Sequence, residues 1–148
     1  MKYIKIQQDM LKAIEKGNYI DYRISVSETD TAILFDHGTA FVVMPNKLYC
    51  LNRDLTCFSN FDYKSLVDFS GERGAVTPEQ RVLIFNGKQR TYIKIHSANR
   101  EEWVDKQLLR YFDNPQFEMS DKQYSPIKVY EGKIIVGIVC PFKITKCV

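Results

Sequence analysis

The chain has 148 residues, 45% of them apolar, with nine Tyr and nine Phe. That excludes a disordered or fibrous protein and suits one domain burying roughly two thirds of the surface its unfolded chain would expose. A formal net charge of +3 permits a nucleic-acid partner without arguing for one, and no apolar run is long enough for a signal peptide or a membrane span. The expected setting is therefore the cytoplasm, with no membrane partner.

In chain order, Tyr3-Ile4-Lys5-Ile6 alternates at the period of a half-buried strand. A helix is expected next, with Met10, Leu11 and Ile14 on one face and Gly17 as a left-handed stop. Three strands follow, from Ile20 to Val26, Ala32 to Phe35 and Thr39 to Met44, the last two joined by a turn at Asp36-His37-Gly38. From Leu48 to about Arg81 the texture changes. Apolar residues there have no clean period, a short helix is predicted at Tyr63 to Phe69, and Gly71 to Pro78 reads as a broken, mobile stretch. The region is expected to pack across one edge of the fold.

Val82 to Phe85, Asn86-Gly87 and a run through Tyr92 and Ile95 form the sharpest local signal, a tight hairpin whose turn positions both need positive φ. A second helix is predicted to open at Asn99, with Glu102 completing a capping box and Val104, Leu108 and Tyr111 on one face, until Pro115 ends it. Trp103, the only tryptophan, is assigned to the core beside Val104 and Leu108. Phe117 to Met119, Pro126 to Tyr130 and Lys133 to Phe142 supply three more strands, the last two joined at Glu131-Gly132.

The order strand, helix and three strands thus occurs twice. The expected fold is α+β, a duplicated β-α-β-β-β unit forming antiparallel sheets with two helices on one face. It makes a single domain over 1–148, with unit one at about 1–47, a connection at about 48–81 and unit two at about 82–148.

This repeated unit resembles the module of DNA sliding clamps. Met1-Lys2-Tyr3-Ile4-Lys5-Ile6 is similar to the opening of bacterial clamps, and Val139-Cys140-Pro141-Phe142-Lys143-Ile144 is similar to their closing strand. The resemblance implies a protein of DNA replication and related transactions, from a phage or mobile element. Clamp helices line the DNA channel, which nominates Lys12, Lys16, Lys106 and Arg110 as nucleic-acid contacts, although acidic residues intervene. Clamp partners insert peptides near the closing strand, which nominates Pro141, Phe142 and Lys143 as a partner-binding surface. A clamp chain carries several such domains, so a ring here would need several copies, joined through sheet edges, with the strand from Lys133 to Phe142 as the longest candidate.

Catalytic signals are sparse. His37 sits in a turn and His96 at a strand end, neither beside a glycine-framed serine, a metal-ligand pattern or a phosphate loop. Six residues separate Cys50 from Cys57 and Cys140 from Cys147, wider than the usual spacing of a zinc site, and reduced packing thiols are expected. No metal or other cofactor is assigned. The leading expectation is a non-enzymatic binding protein acting through protein contacts, with DNA as an additional partner. Two alternatives stand beside it: an inhibitor of a host defence nuclease, and an oligomeric processivity factor encircling DNA.

Overall fold

The computed structural model describes residues 1–18 and 20–144, so Cys147 falls outside the described residues. In chain order its elements are α1 (Tyr3–Glu15), β1 (Tyr22–Val26), β2 (Asp30–Phe35), β3 (Ala40–Pro45), β4 (Cys57–Phe58), α2 (Tyr63–Val67), β5 (Glu72–Phe85), β6 (Lys88–His96), β7 (Glu101–Asp105), β8 (Gln116–Met119), β9 (Ile127–Glu131) and β10 (Ile134–Val139). A 3-10 turn at Lys106–Leu109 follows β7. The fold is α+β. Among the described residues the strands form one sheet in the order β4-β1-β2-β3-β10-β9-β8-β5-β6-β7, antiparallel except where β4 meets β1.

The turns do what their residues dictate. Asp36, His37 and Gly38 take φ of 51°, 58° and 80°, and Asn86-Gly87 takes 48° and 74°, closing the β2–β3 and β5–β6 hairpins. The meanders β1–β2–β3 and β8–β9–β10 join through their last strands, Val42 facing Gly137 in an antiparallel ladder. Gly137 has no room for a side chain: a Cβ there would lie 2.2 Å from the Phe41 carbonyl oxygen and 2.9 Å from the Phe112 ring.

Residues Tyr3 to Ile6 begin helix α1 and form no strand, which corrects the expected opening. Tyr3, Ile6, Gln7, Met10 and Ile14 make a helical stripe, with Ile6 and Met10 fully buried in the main core beside Ile33, Phe35 and Met44. Ile6 and Met10 each contribute about 2 kcal/mol by burial. Gln7 ties the helix to the next segment, donating to the Leu48 carbonyl at 2.9 Å and accepting from the Cys50 N–H at 2.7 Å. Gly17 stops the helix as expected: its N–H donates to Ile14 and that of Asn18 to Ala13, while Gly17 holds φ 75°.

The opposite face of β2, β3 and β10 is covered by the connection. Phe61, Tyr63 and Val67 pack on Ala32, Leu34, Phe41 and Ile138, and β4 lies along the edge of β1, whereas the end of the expected connection enters the sheet as β5. Gly71 to Pro78 forms no break. It opens the fourteen-residue β5, which pairs with β8 through Gly74 and with β6 from Ala75 onward, bending at an irregularity between Val76 and Gln80. Pro78 falls within that irregularity, where β5 makes no ladder pair with β6.

The second predicted helix is absent. Residues 101–105 pair with β6 as β7, and only a 3-10 turn carries Leu108 into the core, so two helices on one face are replaced by α1 on one face and the short α2 on the other. Glu102 makes no capping box. It forms a buried ion pair with Arg100 at 2.8 Å, two residues away and on the same side of an extended chain. The two halves therefore share three-strand meanders, but their openings differ. Among the described residues no helix is long and apolar enough to cross a membrane.

Candidate binding site

Beyond β10 the chain continues through Cys140-Pro141-Phe142 and crosses to β7. The Cys140 N–H donates to the Thr39 carbonyl at 2.8 Å and that of Phe142 to the Trp103 carbonyl at 2.7 Å. Suspended at both ends, this segment forms one wall of a cleft of about 310 Å³. Phe85 and Tyr92 of the β5–β6 hairpin and Leu108 of the 3-10 turn also line it. The Phe142 ring lies 4.8 Å from Tyr92 and 5.9 Å from Phe85, the latter edge to face. Such aromatic pairs add about 1 kcal/mol each beyond their burial and reinforce the backbone bridge from Phe142 to Trp103.

One rim is charged. Arg90 meets Asp105 at 2.7 Å and Asp36 at 3.4 Å, while the other oxygen of Asp105 caps the 3-10 turn by accepting from the Gln107 N–H at 2.9 Å. The Asp105 hydrogen bond is the chief reason the Arg90 pKa rises, and Arg90 is a fixed cation at any working pH. Burial pushes the Tyr92 hydroxyl and the Cys140 thiol upward, so both stay protonated at neutral pH. A protonated, partly buried thiol is a poor nucleophile and packs as apolar surface. The cleft is suited to grip one or two apolar side chains, with Asp36, His37 and Thr39 at its mouth for polar contacts.

No protein-family model, curated protein or solved structure matches this chain.

The residues singled out in the sequence separate in space. Pro141 and Phe142 line the cleft, as does His37. Lys143 is exposed and sits 5.5 Å above the Tyr124 ring. Lys12 is exposed on α1, Lys16 is exposed at its C-cap, and Lys106 is exposed at the start of the 3-10 turn. Arg110 is half-buried, stacked 4.8 Å over Phe35 and 4.6 Å over Tyr111, and donates to the Gln107 carbonyl at 2.7 Å. It is anchored in the fold, and the expected outward pair with Lys106 does not form because no helix carries the two. Trp103 is half-buried rather than core. It lies on the outer side of β7 with Arg81 at 4.9 Å and Lys94 at 5.7 Å over its ring, because Val104 takes the inward position. His96 ends β6 opposite Ala75 and Glu101, outside the cleft. The strand expected from Lys133 to Phe142 runs from Ile134 to Val139 and lies between β3 and β9, so it is no edge.

Sequence reasoning missed Phe85, Tyr92, Arg90, Asp36 and Asp105. Phe85 had a signal, since it flanks the Asn86-Gly87 turn. The charged trio had none, because its members come from three strand ends brought together by the sheet order. Among the described residues no three His, Cys, Asp or Glu side chains group as metal ligands.

Proposed function

We propose that this chain is a binding protein without chemistry of its own, acting through protein contacts, and that the cleft beside Phe142 receives a short apolar segment of its partner. The observation that supports this reading is the placement of Pro141 and Phe142. Nominated from the closing stretch of the sequence, they form a wall of an apolar cleft whose other walls come from a distant hairpin and from the 3-10 turn. A pocket of this size accommodates a large side chain or two small ones. The role in DNA transactions, and a phage or mobile-element origin, rest on the clamp resemblance of the sequence alone.

The test is selection of short linear peptides on the intact chain, followed by affinity measurements on the winners. Peptides rich in aromatic or aliphatic residues are expected, with affinity reduced about tenfold or more by Phe142→Ala and by Thr39→Arg at the mouth. Phe142 is 38% exposed and Thr39 is exposed, so both variants should fold, as circular dichroism will show. Failure to select any peptide, or selected peptides indifferent to both substitutions, overturns the cleft. Titration with duplex DNA over a range of salt separates the DNA reading, for which steeply salt-dependent affinity lowered by Lys12→Glu and Lys16→Glu is the required signature.

A further inference from the structure

From Ala75 to Phe85, β5 is paired on one side with β6, while its other side meets β8 only through Glu72, Arg73 and Gly74. Among the described residues no strand covers the remaining edge. In a hairpin closed by a two-residue loop the flanking residues, here Phe85 and Lys88, exchange hydrogen bonds. By alternation Leu83 and Arg81 also bond inward to β6. Val82 and Ile84 therefore turn their N–H and C=O groups outward, unpaired.

The side chains there are also exposed: Val82 by 54%, Ile84 by 73% and Phe85 by 43%. Edge strands are normally protected by proline, bulges or charge. β5 carries such protection at Pro78, at the irregularity between Val76 and Gln80, and at Glu79 and Arg81. From Val82 to Phe85 it carries none. The unguarded apolar length coincides with the regular, unpaired part of the edge.

We propose that this edge is a self-association surface, at which the β5 strands of two copies pair antiparallel about a two-fold axis through Leu83. A symmetric antiparallel pair needs one residue to face its own copy, and Leu83 is the choice that makes the flanking residues complementary. Val82 then stands opposite Ile84, twice, and these are the residues with outward hydrogen-bonding groups, so four new backbone bonds form. On the other face Arg81 stands opposite Phe85, a cation over a ring. The antiparallel order also sets the Asn86-Gly87 turn of each hairpin beside Gln80 and Glu79 of the other. No like charges face each other directly, and the apolar residues of the strand meet apolar partners or the Arg81 side chain. The strand is its own complement, which favours a second copy over an unrelated partner.

Phe85 belongs to both surfaces, but the pairing does not depend on peptide binding, because Leu83 and Ile84, the positions at which it is tested, do not line the cleft. Solution mass by light scattering or sedimentation is expected to show a concentration-dependent dimer of the 17.3 kDa chain. Ile84→Glu should weaken association about a hundredfold or more without lowering the melting temperature of the monomer, since two exposed Ile84 side chains lose their burial together. In a chain whose native cysteines are serine, Leu83→Cys should cross-link rapidly to dimer under mild oxidation, because directly opposed residues of a non-hydrogen-bonded pair approach to about 4.5 Å. Gln80→Cys should not, since its copy lies several residues away along the pair. A chain that stays monomeric at about 0.1 mM, a dimer unaffected by Ile84→Glu, or equal cross-linking at both positions overturns the proposal.

Discussion

Replacing Arg100 by Met keeps the side-chain volume and removes the charge from the most enclosed polar cluster in the described chain. The Arg100 side chain is fully buried and that of Glu102 is 3% exposed. Beyond the ion pair, Arg100 donates to the Ser120 carbonyl at 3.2 Å, to the Ser125 hydroxyl at 3.1 Å and to the Ser125 carbonyl at 2.6 Å. Glu102 accepts in turn from the Tyr124 N–H at 2.7 Å, which helps hold Tyr124 at φ 59°, a conformation unusual for a bulky residue. The variant leaves one buried carboxylate and two carbonyls without their donor. Breaking one side of a buried pair costs about 3–5 kcal/mol, so Arg100→Met should lower the melting temperature by about 10 °C in a chain of this size. Guanidinium unfolding of Arg100→Met, Glu102→Leu and the double variant is the assay. The double variant should be more stable than the sum of the single losses, because it buries no lone charge. A single-variant loss under about 1 kcal/mol, or simple additivity, would refute the reasoning.

Two further outcomes follow from packing and charge. Gly137→Ala should cost about 3 kcal/mol in denaturant unfolding, because its methyl group would collide with the Phe41 carbonyl and the Phe112 ring, and neither backbone nor buried ring can yield freely. Glu118 is subject to burial, which alone would raise its pKa, but hydrogen bonds from Tyr130 and Lys128 and the Lys128 charge together outweigh it and hold the carboxyl below its ordinary value. A depressed carboxyl pKa stabilises the fold above the unfolded value of about 4.3 and loses that contribution as pH falls through the folded value. The acid limb of a stability profile should therefore be shallower for Glu118→Gln than for the parent chain, and parallel acid limbs would show that the carboxylate contributes nothing.

The strands flanked by turn chemistry were legible in the sequence. Asp36-His37-Gly38 and Asn86-Gly87 each take a backbone that few residues adopt and each places two strands, while in the third turn Glu131 ends β9 and Gly132 alone takes positive φ. Errors arose where a short pattern satisfies two periods. Tyr3 to Ile6 alternates over only four residues, and the stripe continuing through Gln7, Met10 and Ile14 decides for helix. Val104, Leu108 and Tyr111 have helical spacing, yet the burial of Arg100 and Glu102 two residues apart belongs to an extended chain. Nothing local marks two charged residues as inward-facing. Pro78 reads as a breaker unless the strand is known to have an open side. Of the cleft, the sequence pointed only to the Pro141-Phe142 stretch, and that through the clamp resemblance rather than through any sign of a cleft. The rest depends on β6 and the 3-10 turn arriving beside it, which only the sheet order determines.

The junction of β3 with β10 also sets a timetable for synthesis. Val42 and Gly137 are neighbours in the ladder, but most of the chain separates them. Until β10 has been synthesised, the Ala40–Pro45 edge lacks its neighbour, and Ala40, Phe41, Val42 and Met44, all buried in the folded protein, lack their full cover. Long-range closure of this kind slows folding and prolongs the interval in which an apolar edge is available to other chains. Replacing Phe41 or Val42 by a charged residue would therefore change the folding yield as well as the stability, because that edge must stay free of wrong partners until β10 pairs with it.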